Sequence, residues 1–252
     1  MLPIYSRAVS GMQASQKLLD ITANNIANVD TMGFNASDPT ITDLAYQITD
    51  ARELVGASAA TSVGVGTHVE GTPRTTQPGS PVMTGNPLDT VITGGGFFQV
   101  QLPDGSAAYT RQGAMRIDAQ GRFNIDGNFI VPAITVPSSA SNVSIAANGQ
   151  VTASLASGPT ILGQLQLARF PNEQGIQAIG NTLYTATVAS GTPIIGLPSQ
   201  VGFGGILAGA LEAAHVDIGR EMARLIVGER SFQFNSKALQ TADSMLGDIT
   251  HH

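Results

Sequence analysis

At both ends of the chain, apolar and small residues recur every seven positions, and between the ends they alternate in short runs. Near the N-terminus Ala8, Ser15, Thr22 and Val29 form one line, Gly11, Leu18 and Asn25 a second, and Met12, Leu19 and Ile26 a third beside them. The spacing predicts an amphipathic helix over roughly residues 4–28. Its stripe mixes small and polar side chains with apolar ones, which permits close backbone approach but makes a poor core for a helix standing alone. Toward the C-terminus Leu211, Ile218, Leu225, Phe232, Leu239 and Leu246 fall seven apart, flanked by Ala214, Gly228, Asn235, Ala242 and Ile249. A heptad kept over that length predicts a coiled-coil helix, because a period of about 3.5 residues holds one seam against a partner. The alternative is a long helix buried in its own domain.

Between about residues 72 and 205 the period changes to two. FFQVQL is followed by Pro103-Asp104-Gly105, AAYTR by Gln112-Gly113, RFNI by Asp126-Gly127 and VSIA by Ala147-Asn148-Gly149. Asp-Gly and Asn-Gly favour tight hairpin turns, whose central residues need positive φ. The pattern predicts an antiparallel β domain. Residues 36–71 share neither texture. Leu44, Ala45 and Ile48 suggest a short helix, and the following stretch is rich in Gly, Ala, Ser and Thr, as expected of an extended linker or insertion. The fold expected is therefore α+β: an N-terminal helical segment over 1–35, a linker over 36–71, a β domain over 72–210 and a C-terminal helix over 211–252.

The stretch NNIANVDTMGFN, residues 24–35, resembles a helix exit, since Asn and Asp favour caps and Gly33 tolerates positive φ. Yet Asn24, Asn25 and Asn28 still hold helical spacing around Ile26 and Val29. Amides on a helix face usually find partners on another helix or chain.

Composition narrows the function. Of 252 residues only 12% are charged and 5% aromatic, so the surface is rich in small and amide side chains, as where much area lies against neighbours. A net charge of −6 argues against nucleic acid as a partner. The absence of cysteine removes disulfides, thiolate metal sites and thiol nucleophiles. No apolar run reaches the length of a membrane span, and the first residues lack the apolar core of a secretory signal.

Candidate chemistry is sparse. The glycine patterns at 64–71 and 202–209 lack the βαβ setting of a dinucleotide site. His68 and His215 are isolated, and His251 and His252 end the chain. Ser106 and Ser157 lack a nucleophile-elbow context. Asp104, Asp118, Asp126 and Glu173 lie near turns, where acids are expected, which leaves little for a cell-wall glycoside hydrolase. No catalytic residue, cofactor or metal is expected. A secreted adhesin or cell-wall-binding module remains a competing class.

SGMQASQKLLDITANNIANVDTMGF near the start and SFQFNSKALQTADSML near the end resemble the axial proteins of the bacterial flagellum, the rod and hook subunits. Ala23, Asn24, Asn25, Ala27, Asn28, Val29, Thr31, Gly33 and Phe34 agree with that family's N-terminal signature, while Asn35 stands where a basic residue is usual. GGGFFQVQLPDGSAAYTRQGAM at 94–115, PAITVP and VGVGTHV are similar to the distal-rod branch. The resemblance implies terminal helices paired in an inner coiled-coil layer, with the β domain outside. It further implies a helical tube of identical subunits, export by the flagellar type III apparatus, contacts to proximal rod and hook subunits and to the surrounding rings, and no insertion into a membrane. The subunit interface it implies comprises Leu18, Asn24, Asn25, Ile26, Asn28, Val29, Gly33, Phe34, Leu211, Ile218, Leu225, Phe232, Asn235, Leu239 and Leu246.

Overall fold

The computed structural model describes residues 2–44, 46–49, 61–75 and 77–250, so Ala45, His251 and His252 lie outside the described residues. The chain divides into two compact units, one comprising residues 1–27, 37–74 and 216–252, the other residues 28–36 and 75–215.

The first unit joins the two ends of the sequence. Helix α1 (Leu2–Ala27) packs against helix α2 (Ile218–Thr250). Pro3 falls in the first turn of α1, where the missing N–H breaks no helical bond. The first two sequence lines of α1 turn inward, with Ala8, Ser15, Thr22 and Asn25 buried and Gly11 and Leu18 half-buried. The C-terminal helix starts later than its heptad line suggests. Asp217 caps it, its Oδ1 accepting the N–H of Arg220 at 3.1 Å and its carbonyl accepting that of Glu221 at 2.9 Å. Leu211 therefore does not belong to the helix. It lies in the strand Ala210–Glu212 of the second unit, which pairs antiparallel with Pro81–Met83 of that same unit.

Where residues 40–71 are described, they pair as a ribbon of strands rather than forming a short helix. Strand β1 (Thr40–Asp43) pairs with β4 (Thr67–Gly71), and β2 (Tyr46–Thr49) with β3 (Thr61–Gly64), all antiparallel. Alternating Thr, Ile, Tyr and Val supply strand propensity that outweighs the weak helical spacing. The ribbon lies along α1. Thr67 N–H donates to Ser10 Oγ at 3.4 Å, and Gly66 sits so close to Ser10 that it has no room for a side chain.

The second unit is antiparallel β. In its main sheet the strands run Gln177–Gly180, Leu183–Thr185, Ala107–Thr110, Phe97–Gln101, Asn128–Val131, Phe123–Ile125 and Met115–Ile117 in spatial order, with Leu167–Arg169 also pairing with Phe97–Gln101. Phe98, Val100, Met115, Phe123, Ile125, Leu165, Leu167 and Ile206 form its core. Phe97, Tyr109, Phe170 and Tyr184 make a second cluster of edge-to-face rings. The Asp126-Gly127 turn behaves as its sequence dictates: both residues take positive φ, 47° and 83°, and close the hairpin Phe123–Ile125/Asn128–Val131. Gln112-Gly113 closes no hairpin. Gly113 instead passes against Thr90, whose N–H donates to its carbonyl at 2.9 Å.

Candidate functional site

The helix pair of the first unit interlocks at matched sevenths. A methyl group on Gly11 would sit 2.7 Å from Asn235 Nδ2, one on Gly228 would sit 3.5 Å from Leu18 Cδ2 and 3.0 Å from Leu19 Cδ2, and Asn25 Nδ2 donates to Glu221 Oε2 at 3.3 Å. Each step of seven up α1 is a step of seven back along α2, so the helices run antiparallel in a heptad-matched register. At the far end Tyr5 OH donates to Asp243 Oδ1 at 2.5 Å, and this bond to a carboxylate pushes the Tyr5 hydroxyl above its ordinary pKa.

Asn25 is fully buried in its own chain. Its Nδ2 donates to the Ser37 carbonyl at 2.8 Å and its Oδ1 accepts the Ser37 N–H at 3.0 Å, so one amide serves the segment entering the ribbon as a β partner would. Within the chain, the polar groups that Asn25 serves lie in the same unit. Glu221, 1% exposed, completes the network, with Arg224 Nη1 donating to its Oε1 at 3.2 Å and Arg224 Nη2 reaching Asp38 Oδ1 at 2.5 Å.

Glu221, Arg224 and Asp38 were not among the residues singled out from sequence. The signal was a gap: the row through Ala214, Gly228, Asn235, Ala242 and Ile249 passes through position 221, where an acid stands in a seam. An acid in the buried row of a chain so poor in charge implies a partner.

The other expected interface residues divide by unit. In the first unit Asn24, Ile218 and Phe232 are exposed, whereas Ile26, Leu225, Leu239 and Leu246 are half-buried. Helix α2 also carries exposed apolar side chains, Ile218, Met222, Ile226, Val227, Phe234 and Met245, of which Val227 and Phe234 stand seven apart on a row away from the seam with α1.

In the second unit Asn28, Val29 and Phe34 are half-buried, and Asn28 Oδ1 accepts the hydroxyl of Thr31 at 3.2 Å. Gly33 is buried there, at φ 73°, its N–H donating to the carbonyl of Glu212 at 2.8 Å, and a side chain on it would meet the backbone of Gln112. Gly33 is thus packed within its own unit, and Leu211 stands in a strand rather than in the helix that its heptad line predicts. Asn35 forms an isolated bridge with His215.

The strongest electrostatic feature of the second unit is also internal. Arg111 Nε donates to both carboxylate oxygens of Glu212, at 3.1 and 2.9 Å, while Nη1 donates to the Gly96 carbonyl at 2.9 Å and Nη2 to that of Gly94 at 3.0 Å. Glu212 Oε1 also accepts the Gly79 N–H at 2.8 Å. The pair is buried and held by the surrounding backbone as well as by its own members.

His68 is exposed on β4, and the glycine pattern at 202–209 runs into the strand Gly205–Ala208, which pairs antiparallel with Thr90–Thr93. Among the described residues no group of three or more His, Asp or Glu side chains is placed to hold a metal, and no helix is long and apolar enough to cross a membrane.

Three family descriptions match the chain in order. The flagella basal body rod protein family covers residues 7–35, the flagellar hook protein FlgE/F/G D1 domain residues 91–153, and the flagellar basal body rod FlgEFG protein C-terminal domain residues 207–250. Over its length the chain is 37% identical to the flagellar basal-body rod protein FlgG of Agrobacterium fabrum, covering 96% of both chains. It is 38% identical to that of Caulobacter vibrioides, covering 95% of each, and 35% identical to that of Bacillus subtilis, covering 98% of this chain and 97% of the other. The flagellar hook protein FlgE of Salmonella typhimurium aligns at 36% identity over 91 residues, only 36% of this chain and 23% of that protein.

Proposed function

This chain belongs to the FlgG family of flagellar basal-body rod proteins, and from that premise we propose that it builds the distal rod by polymerising through its paired terminal helices. As a member of that family it is a structural component of the flagellar basal body. In the proposed assembly identical subunits stack as a helical tube, with the α1/α2 units inside around an export channel and the β units outside. The tube joins proximal rod to hook, turns within the surrounding rings and carries torque without doing chemistry. Its subunits arrive through the flagellar type III export apparatus.

The observation that carries this reading is the set of exposed apolar side chains on α2, Ile218, Met222, Ile226, Val227, Phe234 and Met245, with Val227 and Phe234 seven apart on an outer row. The seam of this helix is already occupied by α1. A helix that leaves this many apolar side chains bare beyond its seam needs further partners, and repetition of one subunit supplies them along the whole tube. The near-complete alignment with rod proteins, against a partial one with a hook protein, favours rod over hook. We assign the insertion at about residues 48–72, of which 50–60 lie outside the described residues, to contacts with adjacent subunits that resist sliding and keep the tube straight.

Sedimentation of the full chain under assembly conditions tests the proposal. Phe234→Asp places a charge on the outer row, and is expected to abolish pelleting while leaving the monomer's helical content and melting point near the parent's. Leu225→Asp and Phe232→Asp should also prevent assembly, and Gln233→Asp should do so less. Pelleting of Phe234→Asp at the parent's level would overturn the proposed role of this row.

A further inference from the structure

A heptad seam has a built-in ambiguity. Because both helices repeat every seven residues, sliding one past the other by one heptad brings apolar positions back into line, and burial alone separates the registers poorly. We infer that three unlike pairs, Gly11 with Asn235, Leu18 with Gly228 and Asn25 with Glu221, form a register key that permits a single alignment of α1 and α2.

The pairs alternate in shape. At Gly11 the small residue is on α1 and the larger on α2, with Asn235 filling the space that any side chain at Gly11 would need. At Leu18 the order reverses, Leu18 and the still nearer Leu19 lying over Gly228. The third pair is polar, buried and hydrogen-bonded on both sides, with Asn25 0% and Glu221 1% exposed.

Sliding α2 one heptad in one direction sets Leu18 against Asn235, so two large side chains compete for the space of one, and Asn25 against Gly228, where its amide loses the carboxylate. Sliding it the other way sets Gly11 against Gly228, leaving a gap, and Leu18 against Glu221, which strands a buried carboxylate on an apolar side chain. Each slipped register thus combines a packing fault with an unpaired polar group. Neither fault depends on neighbouring subunits. The key acts within one chain, and it stands or falls separately from the assembly reading tested by sedimentation.

Spin labels read the register directly. The chain has no cysteine of its own, so nitroxides at Asp20→Cys and Gln240→Cys, both exposed on the helices, report one inter-label distance in the full chain by pulsed dipolar spectroscopy. A one-heptad slip shifts one helix along the other by about 10 Å, from a rise of about 1.5 Å per residue. The parent is expected to give one distance population. Asn25→Leu with Glu221→Leu, which leaves an apolar seam, is expected to add a second population displaced by about 10 Å. Asn235→Ala, which removes the side chain seated over Gly11, is expected to add a smaller one. If the leucine pair loses its helical circular-dichroism signal, Asn235→Ala decides alone. A single unshifted population in every variant that keeps parental helicity overturns the key.

Discussion

Asn25 and the backbone of Ser37 exchange two hydrogen bonds, one donated by the amide nitrogen at 2.8 Å and one accepted by the amide oxygen at 3.0 Å. No other uncharged side chain of that length can both donate and accept in this geometry. Asn25→Ala should therefore leave the Ser37 N–H and carbonyl, and one side of Glu221, without partners in a buried place, costing about 3 kcal/mol. Asn25→Asp should be at least as damaging, because it loses the donor and sets a second carboxylate beside Glu221. Denaturant unfolding followed at the helical signal checks both, and a loss under about 1 kcal/mol for Asn25→Ala would contradict the clamp.

Thr22 predicts the opposite sign. It is fully buried in the helix seam and its hydroxyl has no hydrogen-bond partner among the described residues. Thr22→Val keeps the shape and removes the orphan group, so the helix pair should gain about 1 kcal/mol. A melting point at or below the parent's would show that the hydroxyl is satisfied.

Arg111 and Glu212 form the buried ion pair of the β unit, with side chains 4% and 1% exposed. Removing one partner strands the other, so Arg111→Met should cost about 3–5 kcal/mol. Arg111→Lys should recover only part of this, since one ammonium cannot replace a planar fork spanning Glu212, Gly94 and Gly96. Calorimetry of the β transition in both variants is the measurement. Equal melting points for Lys and parent would refute the role of the fork.

Asp118 gives the β unit a pH dependence of known sign. The N–H groups of Arg122 and Gln120 and the Arg122 side chain donate to its carboxylate at 2.8–2.9 Å and hold its pKa below the ordinary carboxylate value. A depressed folded value means that the contribution is present above the unfolded pKa of about 3.9 and is lost as pH falls through the lower folded value. The melting-point difference between parent and Asp118→Asn should favour the parent at neutral pH and shrink on acidification across that window. A difference constant from pH 7 to pH 2 would remove this assignment.

Periodicity made the helices and the β unit legible, because burial on one face imposes a repeat that survives in the residues themselves. Gly11, Ser15, Leu18, Thr22 and Asn25 face inward as their spacing requires. The partner of each line was not legible from one line alone. The long row beginning at Leu211 continues a heptad by coincidence through a strand and a capped turn, and only Asp217 marks where the helix starts. The ribbon was missed because small and polar residues carry little periodic signal when both faces stay partly wet. Asn25 and Gly33 were read as interface residues because unusual polar and flexible residues advertise a need for partners without saying whose. The structure supplies those partners from Ser37 and Glu221 in one unit, and from Glu212 in the other.

The first unit is written at opposite ends of the sequence, and this sets when it can form. Asn25 and Glu221 are separated by 196 residues, and Tyr5 and Asp243 by 238. A chain emerging end-first from a narrow passage exposes either α1 or α2 long before the other arrives. Neither helix can close its seam early, because each carries too small an apolar face to fold alone. The β unit, whose farthest strand pairings join residues 81–93 to 205–212, lies between the two helices in sequence and has all its strands free before the second helix arrives, so the helical unit closes last. The far separation of its two halves thus acts as a timer, deferring that surface until the whole polypeptide has been delivered.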